Sequence, residues 1–172
     1  MLKDLKIQSG LPLSLENDKI VLSEQAVSSP VAYRRLEEAK PYLEDKDADS
    51  GLDYLYAMYR GVHLKENESL FNEYGLRYDI TQISPGLVGR EFIKTIGHYH
   101  KDFGSEIYEV LSGEAIFIFQ KIDFSGMVMP IGGQAEEIYL IKANVGEKVV
   151  VPWPGRLPGY GHVTINPGND FL

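Results

Sequence analysis

Histidine is scarce in this chain, with four in 172 residues, and two of the four stand one residue apart. His98 and His100 lie in "KTIGHYHKDFGSEIYEVLSG". In an extended segment side chains alternate between faces, so the two imidazoles share one face and Tyr99 takes the other. Two imidazoles so placed can hold one transition-metal ion. Glu106 follows after the turn "KDFGS", from where its carboxylate can swing in as a third ligand. His162, in "GHVTINPG", lies far along the chain but in a similar extended context, after a Pro/Gly-rich turn. His98, His100, Glu106 and His162 make a nitrogen–oxygen donor set that suits several divalent ions, Fe, Mn, Ni or Zn among them. Each imidazole must be neutral to bind, so affinity is expected to fall in acid. A lone strand histidine is more often a hydrogen-bonded structural residue; the convergence of two segments is what favours a metal site. His63, beside Lys65 and Glu66 in "HLKEN", reads as a surface residue.

Elements must bring those two segments together. From residue 52 onward the chain is a series of short runs rich in Ile, Val, Tyr, Phe and Thr: "LDYLYAMYRGV", "LRYDITQI", "REFIKTIGHYH", "EIYEVLSGEAIFIFQKI", "EEIYLIKANV", "EKVVVPW" and "GHVTINPG". Gly, Pro and Asn punctuate them, which predicts an all-β sandwich or barrel. "SPGLVG" and "NVGE" read as tight turns, and "DFSGMVMPIGGQ" as a longer connection. Residues 1–50 form a mixed helical and extended lead-in, and 51–172 the β domain, one domain in all. Within the lead-in, "SSPVAYRRLEEAK" predicts a helix capped by Ser29 with Pro30 at its first position. Pro41 ends it or starts a second turn. The acidic run "EDKDADSG" reads as a solvated loop. The chain stops soon after its last predicted strand, where a barrel would often have one more. A truncation, or a partner chain closing the sheet, accounts for that.

The composition narrows the choice of function. Twenty-five acidic residues against 17 basic ones leave a net charge of −8, which argues against nucleic acid as the partner. A small anionic ligand is still compatible, because local groups override the global field. There is no cysteine, so disulfides and thiolate-bound zinc are excluded. The N-terminus lacks the apolar run of a signal peptide, and no stretch is long and apolar enough to span a membrane. A soluble cytoplasmic protein is expected.

A family pattern rests on these residues. "HYHKDFGSE" with Gly113 resembles the first cupin motif, and "GEKVVVPWPG…GHVTIN", with Gly146, Pro152, His162 and Asn166, resembles the second. The resemblance implies a double-stranded β-helix, the jelly-roll barrel of the cupins. More narrowly, "ISPGLVGREFIKTIGHYH" is similar to the segment before the metal ligands in the cupin-type glucose-6-phosphate isomerases of archaea and some bacteria. "YRRLEEAKPYL", "YLYAMY", "LRYDIT" and "EIYEVLSGEA" resemble that family too, over roughly residues 30 to 170. What the resemblance implies can be carried over by position. The metal ligands fall on His98, His100, Glu106 and His162, and phosphate-binding positions on Thr81, Thr95 and Gly97. Tyr108 corresponds to a substrate-contacting tyrosine, and Tyr54 or Tyr56 to a tyrosine at the mouth of the site. The segment "PWPGRLPGYGH" is longer than in the archaeal members, and its Trp153, Arg156 and Tyr160 either extend the substrate pocket or form a surface loop. Ile96 replaces an expected lysine.

The chemistry suits these residue types. Interconverting glucose 6-phosphate and fructose 6-phosphate moves hydrogen between C1 and C2. A divalent metal polarises the carbonyl and neighbouring hydroxyl as a Lewis acid. Glu106 is the candidate base, a role that contributes roughly 10²–10⁴-fold in rate; a hydride shift with Glu106 as ligand only is the rival. The phosphate needs donors, which the Thr81 and Thr95 hydroxyls and the Gly97 N–H would supply, with Arg90 and Lys94 nearby. Strand threonines also occur simply for packing. Other readings are another sugar-phosphate isomerase or epimerase, a non-catalytic sugar-binding cupin and an iron dioxygenase. A homodimer is expected, since exposed sheet edges need covering.

Overall fold

The computed structural model describes residues 2–99, 105–122, 135–151 and 161–168. Along the described chain run β1 (Leu2–Asp4), α1 (Lys6–Ser9), β2 (Leu13–Glu16), β3 (Lys19–Leu22), β4 (Ala26–Val27), β5 (Ala32–Arg34), α2 (Leu36–Ala39) and β6 (Tyr56–Tyr59). There follow β7 (His63–Leu64), α3 (Glu68–Tyr74), β8 (Ile80–Ile83), β9 (Leu87–Val88), β10 (Glu91–Phe92) and β11 (His98–Tyr99). The last are β12 (Glu106–Glu109), β13 (Glu114–Ile122), β14 (Ala135–Asn144), β15 (Lys148–Val151) and β16 (Gly161–Ile165). The fold is all-β, with every strand pairing among the described residues antiparallel. Hydrogen bonding divides the described strands into separate sheets rather than one closed barrel; the largest has the order β11-β16-β13-β14. The smaller β12-β15 and β5-β6-β8 sheets supply further walls.

The helix expected from Ser29 is displaced. Ala32, Tyr33 and Arg34 pair with Met58, Ala57 and Tyr56 of β6, so this segment is a strand. Tertiary pairing outweighs the modest helix propensity of "VAYRR". The helix begins only at Leu36, where the Glu38 carboxylate accepts the Arg35 N–H at 3.0 Å. Pro41 sits in a following 3₁₀ turn, Lys40–Tyr42, as a proline there should. The helix α3 was not foreseen; it ends on Gly75 in the left-handed conformation. "EDKDADSG" carries no regular element.

Three apolar clusters hold the strands. Phe117, Phe119, Val110, Ala115, Ala143, Val149 and Val151 form one between the largest sheet and β12-β15, with Tyr108 against it. A second joins Tyr56 and Ile83 to Ile93, Val88 and the α2 residues Leu36 and Ala39. A third seats the sheet β1-β2-β3 on the other face of β6, through Leu5, Leu13, Ala57 and Tyr59. The two motif glycines Gly113 and Gly146 have φ of 68° and 83°. Both sit in turns that need the left-handed region, which costs glycine nothing.

Candidate active site

The two histidine-bearing segments meet directly. β11 and β16 run antiparallel, with His98 opposite His162 and Tyr99 opposite Gly161. Residues opposite one another share a face, and the His98 and His162 rings lie 4.8 Å apart in an edge-on arrangement. On the far side of β16, His162 is opposite Phe119, which places the imidazole at the rim of the aromatic core. His162 is buried, while His98 is exposed.

Glu106 and Tyr108 reach this place from β12. They are two residues apart and so on one face. The Tyr108 hydroxyl donates to Glu106 Oε2 at 2.6 Å and lies 2.9 Å from His162 Nε2. A phenol has one proton; with it given to the carboxylate, Nε2–H of His162 is the donor to the phenol oxygen. The phenol packs on Phe117 at 5.5 Å between centroids. Burial, then the bond to Glu106, pushes the Tyr108 hydroxyl well above the ordinary phenol range, so it stays protonated.

Several expected residues lie nearby with defined partners. Thr95 extends the β11–β16 pairing: its N–H donates to the Thr164 carbonyl at 2.9 Å, and its Oγ1 accepts the Thr164 N–H at 3.0 Å. A Cβ on Gly97 would lie 2.6 Å from Val163 Cγ2 and 3.0 Å from the His162 carbonyl oxygen. The closeness of β16 is therefore reason enough for glycine at 97. Thr81 is exposed on β8, opposite Met58. Tyr56 is buried in the second cluster with Ile83, and its hydroxyl accepts the Ile96 N–H at 3.2 Å. Tyr54 instead packs on Tyr33, with centroids 4.8 Å apart. Ile96, where a lysine was expected, packs against the second cluster.

Arg90 pairs with Glu44 and Lys94 with Glu91, so both cations are engaged at the loop around Glu44. His63 is half-buried rather than a surface residue: its ring stacks on Phe71 at 5.0 Å and Nδ1 lies 2.8 Å from the Gly61 carbonyl oxygen. His100, Tyr160, Trp153, Arg156 and Pro152 fall outside the described residues. Sequence reading missed the Arg60–Asp79–Arg77 group. Its signal was present in "LRYDIT", where Arg77 and Asp79 precede Thr81 at spacings of two.

Among the described residues no three His, Cys, Asp or Glu side chains stand close enough together to hold a metal ion. The Tyr108 hydroxyl fills the space between Glu106 and His162. By donor chemistry the residues still fit one: two imidazoles face each other across a strand pair, and a carboxylate reaches the same hydroxyl as one of them.

A family model described as glucose-6-phosphate isomerase (GPI) matches residues 32–172. The chain belongs to this family. Named relatives agree. The glucose-6-phosphate isomerase of Thermococcus kodakarensis is 30% identical over 162 residues, covering 94% of this chain and 72% of the relative. That of Thermococcus litoralis is 30% identical over 166 residues, covering 93% and 72%. That of Thermococcus onnurineus is 27% identical over 168, covering 97% and 76%. The chain is thus an isomerase by family, and the His98–His162–Tyr108–Glu106 group lies within the matched residues of this glucose-6-phosphate isomerase family member.

Proposed function

We propose that this chain interconverts glucose 6-phosphate and fructose 6-phosphate with a divalent metal ion held by His98, His100, Glu106 and His162. The observation that carries this is the meeting of Glu106 and His162 on one hydroxyl, beside His98, in a chain of the glucose-6-phosphate isomerase family. The metal would act as Lewis acid on the substrate's carbonyl. Glu106 moves the proton between C1 and C2, and Tyr108, kept neutral and hydrogen-bonded to it, fixes which carboxylate oxygen faces the substrate. Phe117 packs against Tyr108 and Phe119 against His162, which gives the site an apolar side. Thr81, Thr95 and Gly97 take the phosphate; the Thr95 hydroxyl accepts from Thr164 and keeps its own proton to donate. Tyr160 belongs to the substrate-binding set in this reading.

The working form is a cytoplasmic homodimer of a single-domain chain. Among the described residues, no helix is long and apolar enough to cross a membrane. Outward-facing Ile107 and Val150, opposite one another on β12 and β15, are 68% and 55% exposed and offer a surface to a second copy.

The test is to strip the purified chain with chelator, restore Fe²⁺, Mn²⁺, Ni²⁺ or Zn²⁺, and measure conversion of fructose 6-phosphate. At least one ion should restore activity, and His162→Ala should abolish it. Failure of every ion would overturn the proposal. With C2-deuterated glucose 6-phosphate in ordinary water, wash-out of label supports Glu106 as base; complete retention would make it a ligand only.

A further inference from the structure

At the end of the β6–β8 pair lies a charged group that the site as described does not use. Arg60 follows β6, and Arg77 and Asp79 precede β8. The Asp79 carboxylate takes both cations on one oxygen: Arg60 Nη1 at 3.1 Å from Oδ2, and Arg77 Nη2 on the same Oδ2. Its other oxygen accepts the Gly61 N–H at 2.9 Å. One carboxylate thus holds two guanidiniums, so the group carries an excess positive charge in a chain whose net charge is −8.

The group also has an orientation. Arg60 Nη2 lies 3.3 Å from Met58 Sδ, and Met58 is opposite Thr81. Asp79 is two residues before Thr81. Arg60 therefore leans along the face that carries the threonine assigned to phosphate. Burial opposes ionisation of Asp79, but the Arg77 bond, the Gly61 N–H and the two cations outweigh it and hold the carboxyl below its ordinary value. Asp79 is then a fixed anion. Its arginines are 49% and 63% exposed against 27% for the carboxylate, and a guanidinium has five N–H donors, so each keeps donors beyond those given to Asp79.

We propose that Arg60 and Arg77, splayed and fixed by Asp79, are the cations that recognise the phosphate of the substrate alongside Thr81, and so set the preference for phosphorylated over free sugars. This rests on the sugar-phosphate reading above. Guanidinium forks match phosphate oxygens bidentately, and the surplus positive charge that Asp79 leaves uncompensated attracts an anion.

The experiment uses the full chain and two readouts. Inorganic phosphate is titrated calorimetrically into wild type, Arg60→Gln, Arg77→Gln and Arg60→Lys, with thermal unfolding to confirm that each folds. Steady-state kinetics with fructose 6-phosphate follow on the metal-loaded forms. Each glutamine variant should weaken phosphate binding roughly ten- to a hundredfold. It should raise KM more than it lowers kcat, and Arg60→Lys should recover part of the loss. Unchanged phosphate affinity in both glutamine variants, or a fall in kcat at constant KM, would overturn the proposal. If wild type binds phosphate through these arginines but converts no sugar phosphate under any metal, the isomerase reading fails and this one stands.

Discussion

A methyl group at position 161 would meet three carbons of the Tyr99 ring at 2.7–2.9 Å. Gly161 therefore lets Tyr99 lie flat across β16 on the face away from the site, while its neighbour His162 points inward. Gly161→Ala must push the ring aside or shift the strand, a cost of about 1–3 kcal/mol by analogy with overpacked cores. Because the three nearest atoms all belong to one side chain, Gly161→Ala with Tyr99→Ala should cost less than the two single changes added together. Urea unfolding of the four forms measures that coupling; strict additivity would show that the contact is not what fixes the glycine. His98, His162 and Glu106 could be read as a candidate site from residue type and spacing, and Tyr108 from the family resemblance. The hydroxyl bridge between Glu106 and His162 could not, because it spans two strands in separate sheets.

At the scale of elements, the end of β16 is tied down by Asn166. This residue is fully buried, its Nδ2 donates to the Ile83 carbonyl at 3.0 Å, and its Oδ1 accepts the Gly168 N–H at 3.0 Å. Its own N–H donates to the Ile93 carbonyl. The asparagine of the second cupin motif thus couples β16 to β8 and to the segment leading into β11, which carry Thr81 and His98. Asn166→Ala strips partners from a buried carbonyl and an N–H, which costs about 1–3 kcal/mol. A fall in Tm of roughly 2–12 °C is expected, read by differential scanning calorimetry; an unchanged Tm would mean that these bonds are replaced by water. The strand pattern after residue 52 was legible because period-two runs and their turn residues are local. The segment 32–34 misled because its helix-compatible residues are recruited as a strand by β6, and that pairing partner lies more than twenty residues away in sequence.

For the whole molecule, the exposed apolar side chains matter most. β14 is an edge of the largest sheet, with Ile138 and Leu140 at 58% and 69% exposure, and Ile107 and Val150 add an outward apolar pair on β12-β15. Edges and apolar faces of this kind invite association, and a two-fold dimer is the usual closed solution. Sedimentation should therefore find a dimer, with Ile107→Asp and Leu140→Asp together shifting it toward monomer. A wild-type monomer at working concentration would remove the dimer from the proposed function.

By itself the sequence determined the all-β class, the candidate ligands and the family resemblance, because alternation, turn chemistry and short motifs are written in neighbouring residues. Tertiary structure alone decided three things: His98 stands opposite His162, Tyr108 links His162 to Glu106, and Asp79 gathers two arginines beside Thr81. Each joins residues from different strands, and the register that brings them together is set by packing and backbone pairing across the fold rather than by any local preference.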